Sequence, residues 1–171
     1  NMATGLKASS SVVSIGFEVT ETGANTFTQG QVDLNMSPLD REVFVVLAVN
    51  LDLEFPDAVA GLNTRTRGAL TTTNQLTMPN MSDANCIAVN TEAIRAAGFV
   101  DGGVAFTTAA LETPPSTLDF IAIIATNDFF IQVEGTGNAG AKVMNGKLYG
   151  YRARATADIY AALVQSEVLS A

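Results

Sequence analysis

The stretch from Glu42 to Phe55, EVFVVLAVNLDLEF, puts an apolar residue at every odd position: Val43, Val45, Leu47, Val49, Leu51, Leu53 and Phe55. Successive side chains of an extended chain point to opposite sides, so this period of two marks a β-strand with one buried face. The even positions change character midway, from Phe44, Val46 and Ala48 to Asn50, Asp52 and Glu54. The first half is therefore expected to be buried on both faces and the second to be wet on one. Pro56, with no N–H to give to a ladder, ends the strand. Unbroken, it would reach about 40 Å, a length more typical of large sandwiches or barrels.

Working outward, the same alternation recurs in shorter form at Val13, Ile15, Phe17 and Val19, and again at Val32 and Leu34. Threonine-rich segments at Thr26 to Thr28 and Thr71 to Thr73 favour strands for the χ1 reason that valine does. Val104 to Leu111 and Leu118 to Thr126 read as strands separated by Pro114-Pro115. Asn127-Asp128 is turn chemistry before the alternation Phe129, Ile131, Val133, which predicts a hairpin. Asn145-Gly146, the strongest two-residue turn signal, predicts a second one between Lys142–Met144 and Lys147–Tyr151. The glycine-rich run Gly135 to Gly140 reads as a hairpin loop, and long loops are expected over 56–63 and 75–85.

Helix signals are few. Thr91 to Ala97 is the best of them, with Asn90 as N-cap and Gly98 as the C-terminal left-handed residue. The alanine-rich end, 156–169, fits either a helix or a continued strand. Eight or so strands with at most one or two short helices define an all-β chain, a single jelly roll or a closely related antiparallel β-sandwich. Its 171 residues suffice for one domain over 1–171, with a flexible N-terminal segment of about 1–11. The start, Asn1 to Gly5, has neither the basic region nor the apolar core of a secretory signal, and a first residue other than methionine fits a processed terminus.

Composition narrows the function. Hydrophobic residues make up 47% of the chain and charged residues only 15%, so Thr, Ser, Asn, Gly and Ala must cover much of the surface. Such a surface suits a subunit whose faces end against neighbours. The formal net charge of −8 argues against direct contact with a nucleic-acid backbone, whose affinity comes from Lys and Arg displacing counterions. The longest apolar run, Val43 to Val49, is far shorter than the ~20 residues of a membrane-spanning helix.

No residue set supports catalysis, and no cofactor or metal site is expected. The chain has no histidine, which removes the usual general base and zinc ligand. Its three lysines, Lys7, Lys142 and Lys147, stand in no Ser-x-x-Lys motif, and the single cysteine, Cys86, reads as a small buried hydrophobe. Asp52, Glu54 and Asp57 are candidate paired carboxylates, but Asp52 and Glu54 read as a solvated strand face. Gly135 to Gly140 lacks the Lys-Ser/Thr end of a phosphate loop. A sharper pattern is that four of the six arginines form two Arg-x-Arg pairs, Arg65/Arg67 and Arg152/Arg154, each with both side chains on one strand face. These pairs are candidate subunit-interface residues, because Arg is enriched at interfaces. Met78, Met81, Pro114 and Pro115 join them, since their loops would otherwise put apolar groups into water.

Taken together, the long β-rich segments, weakly charged Thr/Ala/Asn surface and Pro-punctuated loops resemble the single jelly-roll coat proteins of icosahedral viruses, over roughly Val12 to Val164. That resemblance implies a capsid subunit in a virion, with copies of itself as partners and a closed shell as product. Many such proteins carry a basic N-terminal arm against the genome, whereas 1–11 holds a single cation, Lys7. The coat reading then implies a further layer, an internal membrane or another virion protein, between this chain and the nucleic acid. Two alternatives stay open: a phage tail-tube, decoration or fimbrial subunit, and a secreted β-sandwich module that binds carbohydrate or a cell surface in an extracellular setting.

Overall fold

The alternating segments find their partners far along the chain. A computed structural model describes residues 5–96, 104–109 and 118–169. Among them are β1 (Leu6–Ala8), β2 (Val13–Thr20), β3 (Thr28–Asp33), β4 (Glu42–Leu53), β5 (Thr64–Thr71), β6 (Cys86–Arg95), β7 (Val104–Ala109), β8 (Ala122–Ile124), β9 (Asp128–Thr136), β10 (Val143–Ala155) and the helix α1 (Ala157–Leu169). The antiparallel pairs are nested: β2 with β10, β3 with β9, β4 with β8, and β5 with β6. Alternate pairs fall in different sheets. One sheet has β2 and β1 along the same edge of β10, followed by β4 and β8; the other runs β3-β9-β5-β6-β7. A long hairpin rolled so that its nested pairs share two facing sheets is a jelly roll, and the fold is therefore an all-β jelly roll with one helix.

Between the sheets lie Phe44, Leu70, Ile124, Phe129, Ile131 and Leu148, all buried. Each such side chain contributes about 1.5–3 kcal/mol by leaving water. Phe17 meets Phe129 edge to face, with centroids 5.8 Å apart.

The strand that decides the fold is interrupted. Tyr149 pairs with Ala48 and Gly150 with Val46, which leaves Leu47 as a β-bulge. One extra residue reverses the side-chain phase. Val49, Leu51 and Leu53 face the inter-sheet core on one side of the bulge, and Phe44 and Val46 face it on the other. Val43 and Val45 point outward into a second core with Ala153, Ala155 and, from α1, Ile159, Tyr160, Leu163 and Val164. The odd-numbered alternation is thus two half-strands of opposite phase rather than one face, although the double burial of the first half is as expected.

The ending 156–169 is helical. Thr156 caps it: its Oγ1 accepts from Ile159 N at 3.4 Å and its carbonyl from Tyr160 N at 2.8 Å. Near the far end Glu167 accepts from the backbone N–H groups of Ala125 and Thr126, at 2.7 and 3.1 Å, and clamps α1 to the β8–β9 connection.

Several local expectations are corrected. The expected helix from Thr91 is strand: through Arg95 the segment is part of β6, paired on both edges by β5 and β7, and that ladder outweighs the Asn90 cap signal, while Ala97 and Gly98 lie outside the described residues. Asn145-Gly146 is no turn but lies within β10, near its start, paired to β2 on one side and β4 on the other. A Cβ at Gly146 would run into the Asn50 carbonyl and the Phe17 ring, so glycine is there for close approach. Asn127-Asp128 leads into β9 and 135–140 leads out of it; both connections cross between sheets rather than closing hairpins, because β8 and β10 belong to one sheet and β9 to the other. Asn127 ties its crossing to the end of β3, its Oδ1 accepting from Met36 N and its carbonyl from Leu34 N. The expected flexible segment 1–11 includes β1, whose residues pair with Ala153–Ala155 of β10.

Candidate functional site

At the end of the sandwich where β4 and β9 finish, three loops are joined through polar side chains. Glu21, 3% exposed, follows β2, and its carboxylate accepts backbone N–H groups from Thr26, Gly135 and Lys142 at 2.8–2.9 Å. The Asn25 side chain donates to the Asn138 carbonyl and accepts from its N–H, while the Asn138 side chain donates to the Arg65 carbonyl and accepts from Asp57 N. Asp57 accepts from the Ala139 and Gly140 N–H groups and from Lys142 Nζ at 2.7 Å, while Glu54 lies 3.6 Å from the same ammonium. The Lys142 hydrogen bond, aided by the two backbone donors against some desolvation, holds the Asp57 carboxyl below its ordinary value.

This arrangement accounts for the glycine-rich run and the neighbouring acids. Gly137 has φ +71°, the left-handed region, and a Cβ on Gly135 would collide with the Asn138 amide. The backbone N–H groups of 139 and 140 point at Asp57 rather than at open space. Glu54 and Asp57 share Lys142, so an ammonium stands between them where a bound cation or a reacting group would have to be, and Asp52 lies apart on an exposed sheet face. Among the described residues no group of three or more His, Cys, Asp or Glu is placed to hold a metal ion. Cys86 is half-buried, its thiol pushed up to about 11 by burial and by Asp83, so it is protonated at neutral pH.

The two arginine pairs are in different sheets. Arg65 and Arg67 lie on the outer face of the β3–β7 sheet. Arg67 donates to Thr91 Oγ1 at 3.0 Å and to the Pro79 carbonyl at 3.5 Å, fastening the 72–85 loop across that face, whereas Arg65 is exposed. Arg152 donates to the Leu34 carbonyl at 2.7 Å, and Arg154 is exposed opposite Glu42 and Lys7. Met78 is half-buried and Met81 is exposed. Pro114 and Pro115 lie outside the described residues. A cleft of about 440 Å³ opens between the 72–85 loop, β8 and α1; its titratable lining is Cys86 and Glu167, the latter engaged in its clamp.

The polar knot went unrecognised in the sequence because its members are up to 121 residues apart. Lys142, next to the glycine-rich run, is its nearest thing to a local signal. Also missed were exposed apolar residues on loops and edges: Leu39 (94% exposed), Leu76 (89%), Phe106 (54%) and Val104 (52%).

No family model and no curated protein matches the sequence. Solved structures similar to this chain include the unassembled pentamer of Merkel cell polyomavirus VP1 (TM-score 0.42, 6% identity, 88% of this chain and 99% of that chain). VP1 of the same virus in complex with GD1a oligosaccharide is another (0.44, 6%, 91% and 100%). Desmodium yellow mottle tymovirus is a third (0.33, 11%, 86% and 90%). Likenesses this distant leave the fold assignment to the nested strand order of the chain itself.

Proposed function

We propose that this chain is a viral capsid subunit that assembles with copies of itself into a closed icosahedral shell. The observation that carries the reading is the surface of the jelly roll: poor in charge, yet bearing Leu39, Leu76, Met81, Val104, Phe106 and Leu169 in the open. Large apolar groups spread over loops and strand edges cost solvation free energy in a lone monomer and become favourable once neighbours cover them. β7 adds a sheet edge, since it pairs with β6 on one side only among the described strands. Of the candidate interface residues, Arg65, Arg154 and Met81 are exposed and therefore free to meet a neighbour, while Arg67 and Arg152 hydrogen-bond within the fold. The net charge of −8 weighs against contact of these residues with nucleic acid, and genome contact is assigned to another virion protein or an internal membrane layer. The test is sedimentation and light scattering of the purified chain over a concentration series without metal or nucleotide. Large homo-oligomers are expected; a monomer at every concentration and salt would contradict the reading.

A further inference from the structure

Unpaired charge is divided between the two outer faces of the sandwich. On the β5–β6–β7 face Arg65 stands opposite Ala93, and Ala93 opposite Phe106, in one row across three strands; Arg95 and Val104 form the next row. Arg65, Arg95, Val104 and Phe106 are exposed, and neither arginine has an ion-pair partner among the described residues. In the adjoining row, through Arg67 and Thr91, Glu134 stands opposite Arg67 and is the one acid in these three rows among the described residues. On the opposite face Glu18, Asn145 and Asp52 form a single row across β2, β10 and β4. Both carboxylates are exposed and lack a cation partner among the described residues. The adjoining rows, Gly16–Lys147–Asn50 and Ser14–Tyr149–Ala48, are mostly small residues and carry one cation.

The two patches flank the same end of the molecule. Arg65 pairs with Thr136, the last residue of β9, and Asn145 lies near the start of β10, the two strands being joined by the 137–142 loop. Strand spacings put the Cα atoms of Arg65 and Arg95 about 8 Å apart and those of Glu18 and Asp52 about 10 Å apart. Long arginine side chains span that difference.

Resting on the self-assembly reading, we propose that the face bearing Arg65, Arg95 and Phe106 of one copy docks on the Glu18–Asp52 face of the next. Because the two patches differ, the contact is head to tail, and repetition builds a ring if the rotation closes. The polar-knot ends of successive copies are drawn together, and the knot keeps the strand ends behind both patches in place.

Charge reversal tests this. Arg65→Glu with Arg95→Glu, and separately Glu18→Arg with Asp52→Arg, should each raise the concentration at which assembly begins by about tenfold or more, with more salt sensitivity in the wild type than in the variants. The variant carrying all four reversals should assemble again, since its faces are complementary in the opposite sense; a misfolded protein would not recover. Assembly of either single-face variant at the wild-type concentration, or failure of the fourfold variant to recover while its melting temperature is unchanged, overturns the contact but leaves the shell reading standing. A wild-type chain that stays monomeric overturns both.

Discussion

The sandwich is closed in opposite ways at two places. Where β4 and β9 end, closure is polar: Glu21 accepts from Gly135 N at the end of β9, Asn138 donates to the Arg65 carbonyl in β5, and Asp57 accepts from Ala139 N in the loop between β9 and β10. Beside the first half of β4, closure is apolar: α1 lays Ile159, Tyr160, Leu163 and Val164 over Val43 and Val45. Irregular backbone cannot be buried without partners for its N–H and C=O groups, so loops that pack inward need side chains that cap them. A sheet face that already satisfies its backbone needs only apolar cover.

The largest expected effect falls on the polar side. Glu21→Ala leaves three backbone N–H groups without their acceptor and should cost about 3–5 kcal/mol in chemical denaturation. A loss below about 1 kcal/mol would mean that water replaces the carboxylate and that the knot is loose. On the apolar side Val45→Ala should cost about 2 kcal/mol, a transfer and cavity loss without orphaned polar groups. In combination with Leu163→Ala the two losses should add to less than their sum, because both line one cluster; strict additivity would separate α1 from β4.

The smallest effect sharpens the contrast through pH. Asp57 is held below its ordinary value of 3.8 mainly by Lys142, so its contribution is present above that value and is lost as pH falls through the lowered one. Melting temperatures of wild type and Asp57→Asn should therefore differ at pH 7 and converge in acid, once the pH has fallen well below 3.8. A constant difference down to that pH would assign the role of Asp57 to shape alone.

The same contrast sets what could be read from the chain. Apolar closure leaves a period, and the double burial of Val43 to Val46 was legible in EVFVVLAVNLDLEF before any helix was known to cover it. The bulge at Leu47 was not, because an inserted residue within an apolar run leaves the composition of both faces unchanged. Turn dipeptides misled where tertiary packing used the same residues otherwise: Gly146 serves close strand approach, and Asn127 binds the end of β3 across the sheets. Asn90, whose amide donates to the Leu51 carbonyl from within β6, imitated a helix cap. Polar closure left little local trace beyond Lys142 beside the glycine-rich run, since Glu21 and Lys142 meet only in space. Of the candidate interface residues, Arg67 and Arg152 show why a charge pair on one strand face is ambiguous: each Arg-x-Arg places one guanidinium in an internal hydrogen bond and one in the open.

Electron microscopy of the purified chain, concentrated without cofactor at moderate salt, addresses self-assembly most directly. Closed particles of uniform diameter, with neighbouring jelly rolls meeting through the Arg65 face and the Glu18 face, are the predicted result. A field of separate monomers, with Leu39, Leu76 and Phe106 still exposed, would contradict the account.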